Sequence, residues 1–295
     1  MSKGIMMFAY NGEAHDAPGN TYSIDYVKMA VANAKSIKKY MHNHSVALVT
    51  DKQGKVHVIN NGWQKHFTHI ILTEEQSKGE GPNTNLDKNI RSMRVGDKTI
   101  TLPWKNHTRP NAYELSPFDQ TILIDSDYFI FDNTLETLFE SSQNILCGKH
   151  VKEISHQDNL IDYERLHHQS LKLFWATVLY FTKSTEAMLM FEMMKSVKKN
   201  WQYYSRMYKF EGSRTYRNDF AVSVALHALQ GKKETTQYDV PFTLMCLADK
   251  NIMLDKKSFA FRYKDKWAGT GYPKQNIHIM NKQSAMIVAE EIINE

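Results

Sequence analysis

Apolar and polar positions follow two different periods along the chain. Unbroken apolar runs at residues 4–10, 45–50, 69–73, 121–124 and 173–182 have the length of strands buried on both faces. Ile24, Val27, Val31, Ala34, Ile37 and Met41 recur at helical spacing and predict a helix over residues 25–41. Residues 56–60 follow the turn Asp51-Lys52-Gln53-Gly54 and predict a further short strand. Strand, helix, strand, strand is the order of an α/β sheet.

Polar breaks and further periodic segments fill the rest. Residues 11–23 form a polar loop after the first strand, where a doubly wound sheet holds a nucleotide, although no G-x-G-x-x-G is present. Residues 74–89, with Gly79, Gly81 and Pro82, predict a surface loop. Residues 91–94 and 98–102 flank Val95-Gly96-Asp97 as a hairpin. Its Arg91, Arg94 and Lys98 either face phosphate or guard a sheet edge. Helices are predicted over 108–115, 133–140, 184–197 and 219–230, the last capped by Asn218 or Asp219 and stopped by Gly231. The methionines of 184–197 suit core filling. Residues 145–147, 240–247 and 252–254 predict strands, residues 261–272 a binding loop, and the chain closes with a helix from Lys282. Residues 201–208, aromatic and basic, suit either stacking on bases or sugars or packing as core.

Composition narrows the class. The chain has 295 residues, 42% of them apolar, enough for one large α/β domain or two small ones. No apolar run is long enough to cross a bilayer, and the run ending at Tyr10 is too short for a signal-peptide core. No membrane partner and a cytoplasmic location are expected. Cys147 and Cys246 sit in apolar contexts and are expected reduced and buried. The net charge of +5 suits a polyanionic partner, nucleotide phosphates or nucleic acid. His150, His156, His167 and His168 lack the spacing of a zinc site and predict a polar loop over a cleft.

The chemistry concentrates where the run 121–124 meets Asp125-Ser126-Asp127. Alternate residues of a strand share a face, so Asp125 and Asp127 are expected to point together at its carboxyl end. Two hard oxygen ligands there suit Mg²⁺ or Mn²⁺ that also touches phosphate. A solvated turn closing the strand accounts for the same residues.

Four segments carry a family resemblance. They are Met7-Phe8-Ala9-Tyr10-Asn11, residues 109–127 ending in Asp125-Ser126-Asp127, the strand 175–181, and Ile277-His278-Ile279-Met280-Asn281-Lys282. Together they resemble the GT-A class of nucleotide-sugar glycosyltransferases, most closely its glycogenin-like branch, and more loosely short glycosyltransferase-like proteins of tailed bacteriophages. The resemblance implies a Rossmann-like α/β fold with a mixed, mainly parallel central sheet flanked by helices. It implies one domain over 1–295, with a nucleotide-sugar half (1–140) and an acceptor half (141–295). It implies Mn²⁺ or Mg²⁺ on Asp125, Asp127 and His278, and a UDP-sugar donor. Ala9, Tyr10, Asn11, Arg91, Arg109, Asp125, Ser126 and Lys282 become donor-binding positions: Tyr10 and Asn11 near the base, Arg109 bracing the donor, Lys282 near the phosphates. Asp127 and Asp219 become catalytic positions, and the outcome leans towards retention. The chain departs from the family at Asn11, where Asp is usual, and after His278, where Gly and then Lys-Pro-Trp are usual. Phage likeness and positive charge point to a hydroxylated pyrimidine in DNA as acceptor, with a glycan or protein as the other choices. A two-metal nucleotidyltransferase or nuclease, or a non-catalytic DNA-binding module, would use the same acids or the same charge differently.

Overall fold

The first apolar run folds as β1 (Lys3–Phe8). The computed structural model describes residues 1–10, 14–17, 20–41, 44–73, 90–95, 98–103, 105–154, 165–166, 170–208, 216–231, 237–247, 251–254, 258–263 and 266–295. Side chains are outside the description at residues 14–23, 90–107, 251–273 and 283. The loop expected at 11–23 contains a backbone hairpin of β2 (Ala14–Ala17) and β3 (Asn20–Ser23). Then comes α1 (Tyr26–Tyr40), capped by Asp25, whose Oδ1 accepts from the Lys28 N–H at 2.8 Å.

Strand β4 (Ser45–Thr50) is followed by α2 (Lys52–Asn60), which corrects the strand expected at 56–60. The Asp51 turn is a helix cap: its Oδ1 accepts from the Gly54 N–H at 2.7 Å. Gly54 and Val58, four apart, face inward, while Val56 and Ile59 are exposed. A Cβ on Gly54 would lie 1.9 Å from Thr50 Oγ1, and Thr50 is itself buried. Gly54→Ala is therefore expected to cost roughly 1–3 kcal/mol of stability. A urea midpoint unchanged from wild type would refute that.

Next come β5 (His69–Leu72), β6 (Ile90–Val95) and β7 (Lys98–Pro103), the last two forming the expected hairpin. The surface loop expected at 74–89 lies outside the described residues. The helix expected at 108–115 divides into a 3₁₀ turn (Lys105–Asn111) and α3 (Ala112–Leu115). Pro110, which lacks an N–H, lies inside the 3₁₀ turn. Strands β8 (Gln120–Ile124) and β9 (Tyr128–Phe129) flank the Asp-x-Asp, and Thr134–Glu140 is 3₁₀. β10 (Ile145–Gly148), β11 (Val151–Glu153) and β12 (Trp175–Thr182) follow. Thus β11 lies inside the segment expected as a polar loop, in which His156, His167 and His168 are outside the described residues.

Helices α4 (Thr185–Lys199), α5 (Trp201–Met207) and α6 (Asn218–Leu229) come next. One expectation is corrected here, and one left open is decided. The cap residue of α6 is Arg217 with no side-chain capping bond, because the Asp219 carboxylate is engaged elsewhere. In α5, Trp201 is core: it is buried edge-on to Tyr216 at 5.4 Å and stacks on Phe220, while Tyr203 is exposed. The late strand is shorter than expected, β13 (Leu244–Leu247). β14 (Asn251–Leu254), β15 (Ser258–Tyr263) and β16 (Lys266–Pro273) form an antiparallel sheet, so the binding loop expected at 261–272 is strand. Its aromatic content is also β-forming composition. β17 (Ile277–Ile279) and α7 (Lys282–Asn294) close the chain.

The central sheet has six strands in the order β10-β12-β8-β1-β4-β5. β8, β1, β4 and β5 run parallel, β12 runs antiparallel to β8, and β10 runs antiparallel to β12. This is the mixed, mainly parallel α/β sheet flanked by helices that was expected. Ile5, Leu48, Ile122, Leu179 and Phe181 are buried in its core with Val31 and Ile37 of α1 and Phe191 of α4. A second sheet, β11-β13-β17-β9, packs Phe129, Ile277 and Ile279 with Val288 and Ala289 of α7 in a smaller core. Cys147 and Cys246 are buried and unbonded, as expected. Among the described residues no helix is long and apolar enough to cross a membrane.

Candidate metal centre

The Asp-x-Asp segment is the turn by which the chain leaves the central sheet for the second one. β12 pairs antiparallel with β8, Val178 opposite Ile124, so Thr177 arrives beside Asp125. The Asp125 N–H donates to the Thr177 carbonyl at 3.0 Å, and the Tyr128 N–H donates back to the Asp125 carbonyl at 3.1 Å. β17 then pairs antiparallel with β9, placing His278 opposite Tyr128, and the Ile279 N–H donates to the Asp127 carbonyl at 2.9 Å. This ladder carries a histidine from late in the sequence to the tip of β8. Asp125, Asp127 and His278 each offer a ligand atom, all within 4.8 Å of one another.

Charges around these acids are closely paired. Lys282, the first residue of α7, donates from Nζ to Asp127 Oδ2, and His278 Nε2 lies 3.4 Å from Oδ1. Burial would raise the Asp127 carboxyl, but the Lys282 and His278 charges outweigh it and hold it well below the usual carboxylate range. For His278 burial works against the charged ring, yet Asp127 wins and pushes it up to about 10. Lys282 is likewise raised: burial opposes its charge and Asp127 favours it more strongly.

Arg109 is buried, donating from Nη1 to Asp125 Oδ1 and from Nη2 to the Ala176 carbonyl. The Ala176 N–H donates to Asp219 Oδ1 at 2.9 Å, and Arg217 Nη2 lies 3.2 Å from Asp219 Oδ2. N–H and C=O of one strand residue point the same way, so Arg109 and Asp219 approach β12 from the same side. Arg109→Met would leave the Asp125 oxygen and the Ala176 carbonyl without this donor. It is expected to cost roughly 3 kcal/mol, at the low end for breaking a buried pair because Asp125 keeps partial solvent contact. A chemical-denaturation midpoint within error of wild type would contradict this.

The donor set fits a hard divalent cation. Two carboxylates supply oxygen and one imidazole supplies nitrogen, a combination suited to Mn²⁺ or Mg²⁺. Arg109 engages only one Asp125 oxygen, and the Asp125 side chain is 23% exposed, so the site is open on that side.

The other expected positions fall into three groups. Tyr10 is buried with its hydroxyl against Thr108 Oγ1, and Ala9 is buried with its N–H on the Val49 carbonyl at 3.0 Å. These two form a wall beside the Arg109 segment. Ser126 is buried, and its carbonyl accepts from Asn33 Nδ2 at 2.9 Å. Asn11 lies outside the described residues; Arg91 is in β6, with its side chain outside the description. Sequence reasoning missed Asn33, Thr177 and Asn276. Thr177 Oγ1 lies 3.4 Å from His278 Nδ1, and Asn276 Oδ1 accepts from the N–H groups of Phe131 at 2.7 Å and Asp132 at 3.1 Å. For Asn33 a signal existed: it is a polar residue on the apolar face shared with Met29, Ala30 and Ile37.

No protein-family model matches the chain, and no curated protein matches it. Among solved structures it is similar to the galactosyltransferase LgtC in complex with donor and acceptor sugar analogues. There the identity is 12%, the coverage 98% of this chain and 95% of that one, and the TM-score 0.49. It is also similar to mouse xyloside xylosyltransferase 1 at 13% identity, with 79% and 83% of the two chains covered and a TM-score of 0.44. The glycosyltransferase GlyE of Streptococcus pneumoniae shares 12% identity over 83% of this chain and 45% of that one, with a TM-score of 0.41.

Proposed function

We propose that the chain is a metal-dependent glycosyltransferase of GT-A type, moving a sugar from a nucleotide-sugar donor to a hydroxyl acceptor. The observation that carries this reading is the convergence of Asp125, Asp127 and His278 at the carboxyl end of β8, with the Lys282 ammonium against them. In such a reaction the bond between the anomeric carbon and the phosphate oxygen breaks and its electron pair leaves with the nucleoside diphosphate; the acceptor oxygen bonds to that carbon and its proton passes to the departing diphosphate oxygen. Asp125, Asp127 and His278 would hold Mn²⁺ or Mg²⁺, which when bound supplies Lewis-acid stabilisation of the departing diphosphate. Arg109 holds one Asp125 oxygen and so fixes the orientation of that carboxylate. Lys282 lies at the start of α7, where the helix dipole also favours anionic oxygens, and would bind the diphosphate. Asp219 has both oxygens engaged, by Ala176 and Arg217, which favours the retaining course that needs no free carboxylate base.

The family resemblance as a whole supports a uridine diphosphate donor, while Asn11 and the residues after His278 depart from the family's usual pattern there. For the acceptor the charge of +5 supports a hydroxylated pyrimidine in DNA, and the exposed Tyr203 and Arg206 offer contacts for it. Trp201 and Tyr216 do not, since both are buried. Cytoplasmic location and a single domain over 1–295 belong to the same proposal. The test is incubation of the purified chain with Mn²⁺ and a panel of sugar nucleotides. Nucleoside diphosphate release is measured first, then mass shifts on DNA containing hydroxymethylated pyrimidines, on glycans and on proteins. Metal-dependent release with one class of donor is expected. Absence of release across the panel, with Mn²⁺ bound, would overturn the reading.

A further inference from the structure

Asn33 lies at the middle of α1, fully buried, between residues that belong to the core. An apolar side chain would suit that surface, and Asn is a poorer helix former than Ala by roughly 0.7 kcal/mol. Its amide instead reaches out of the helix. Nδ2 donates to the Ser126 carbonyl at 2.9 Å, and Oδ1 accepts from the Ile130 N–H at 3.3 Å. Those two backbone groups straddle Asp127, one on each side. They also lie where the chain changes sheets and ladder pairing is thin: β8 ends at Ile124, and β9 covers only Tyr128–Phe129. An amide is the short side chain that gives and accepts at once, so one residue serves both groups.

We infer that Asn33 is the positioning residue that sets the spacing of the Asp125 and Asp127 carboxylates for a divalent cation. This rests on the metal centre proposed above. Asn33 touches neither carboxylate; it fixes the turn that aims them, and Arg109 and Lys282 then orient the individual oxygens. Outer partners of this kind typically change metal affinity by about 10- to 100-fold when removed.

The experiment is a Mn²⁺ titration followed by the electron paramagnetic resonance signal of free Mn²⁺, with no donor present. It compares wild type, Asn33→Leu, Asn33→Ser and Val31→Ala, each with its thermal midpoint. Val31 is a buried core residue of the same helix with no bond to the turn, and it controls for destabilisation alone. Asn33→Leu keeps the branching at Cγ with a larger side chain and loses both bonds; Asn33→Ser is small enough to fold and too short to span the two groups. Both are expected to weaken Mn²⁺ binding by about 10- to 100-fold, while Val31→Ala lowers the midpoint and leaves affinity unchanged. Wild-type affinity in both Asn33 variants, or an equal loss in Val31→Ala, overturns the inference and leaves the metal centre standing. A wild-type chain that binds no Mn²⁺ overturns the metal centre itself.

Discussion

Asp127→Asn is expected to lower metal-dependent release of nucleoside diphosphate by about 10³-fold, from a loss of several kcal/mol of charge stabilisation. Asp127 is the buried member of the pair, the one that both Lys282 and His278 face. The amide keeps the shape and removes the charge. It cannot offer a second anionic oxygen, and it leaves Lys282 and His278 close together with no counterion between them. Asp125→Asn should be less severe, because Arg109 already engages one oxygen and solvent reaches the side chain. The ordering Asp127 before Asp125 is therefore part of the prediction. Rates at saturating Mn²⁺, with thermal midpoints for both variants, check it. An Asp127→Asn enzyme that keeps a tenth of wild-type turnover would remove the carboxylate pair from the mechanism.

The centre was legible in the sequence to the extent that it depends on strand ends. A buried run meeting two acids is a local pattern, whereas His278, which lies inside its own short run, and Lys282 came to the centre through the family resemblance. Long-range geometry was not legible. The β9–β17 ladder that unites the two segments is three residues long on one side and two on the other, too short to leave a periodic signature. Residues 56–60 read as a strand because three of their five positions are β-branched, yet among them only Val58 is buried and the Asp51 cap decides for helix. Trp201 stood open between a stacking surface and core, because its sequence does not show its neighbours, and Tyr216 and Phe220 put it in the core. The partners of Arg109 and Asp219 were not legible either: the Arg109 guanidinium donates to Asp125 and to the Ala176 carbonyl, and the Ala176 N–H donates to Asp219.

Lys282→Met is expected to move metal binding and turnover in opposite directions. The Lys282 ammonium pairs with Asp127 Oδ2, over the Tyr26 ring at 5.9 Å from its centroid. A divalent cation entering beside Asp127 meets that positive charge, a repulsion on the order of a few kcal/mol at the effective dielectric of a partly buried site. Removing it should tighten Mn²⁺ alone by about 10- to 100-fold, since each 1.4 kcal/mol is tenfold. A diphosphate changes the balance, because its oxygens give Lys282 another partner and release Asp127 to the metal. Metal and nucleotide should then help each other bind in the wild type, with a coupling of about 1–3 kcal/mol that is the same from either side. Lys282→Met should lose most of that coupling. Its turnover should fall by about 10²-fold, as for the loss of one charged group aimed at a developing anion. Calorimetric titration of Mn²⁺ with and without uridine diphosphate measures all four corners of the cycle. Weaker Mn²⁺ binding in the variant, with wild-type coupling retained, would mean that Lys282 supports the acids without competing for them.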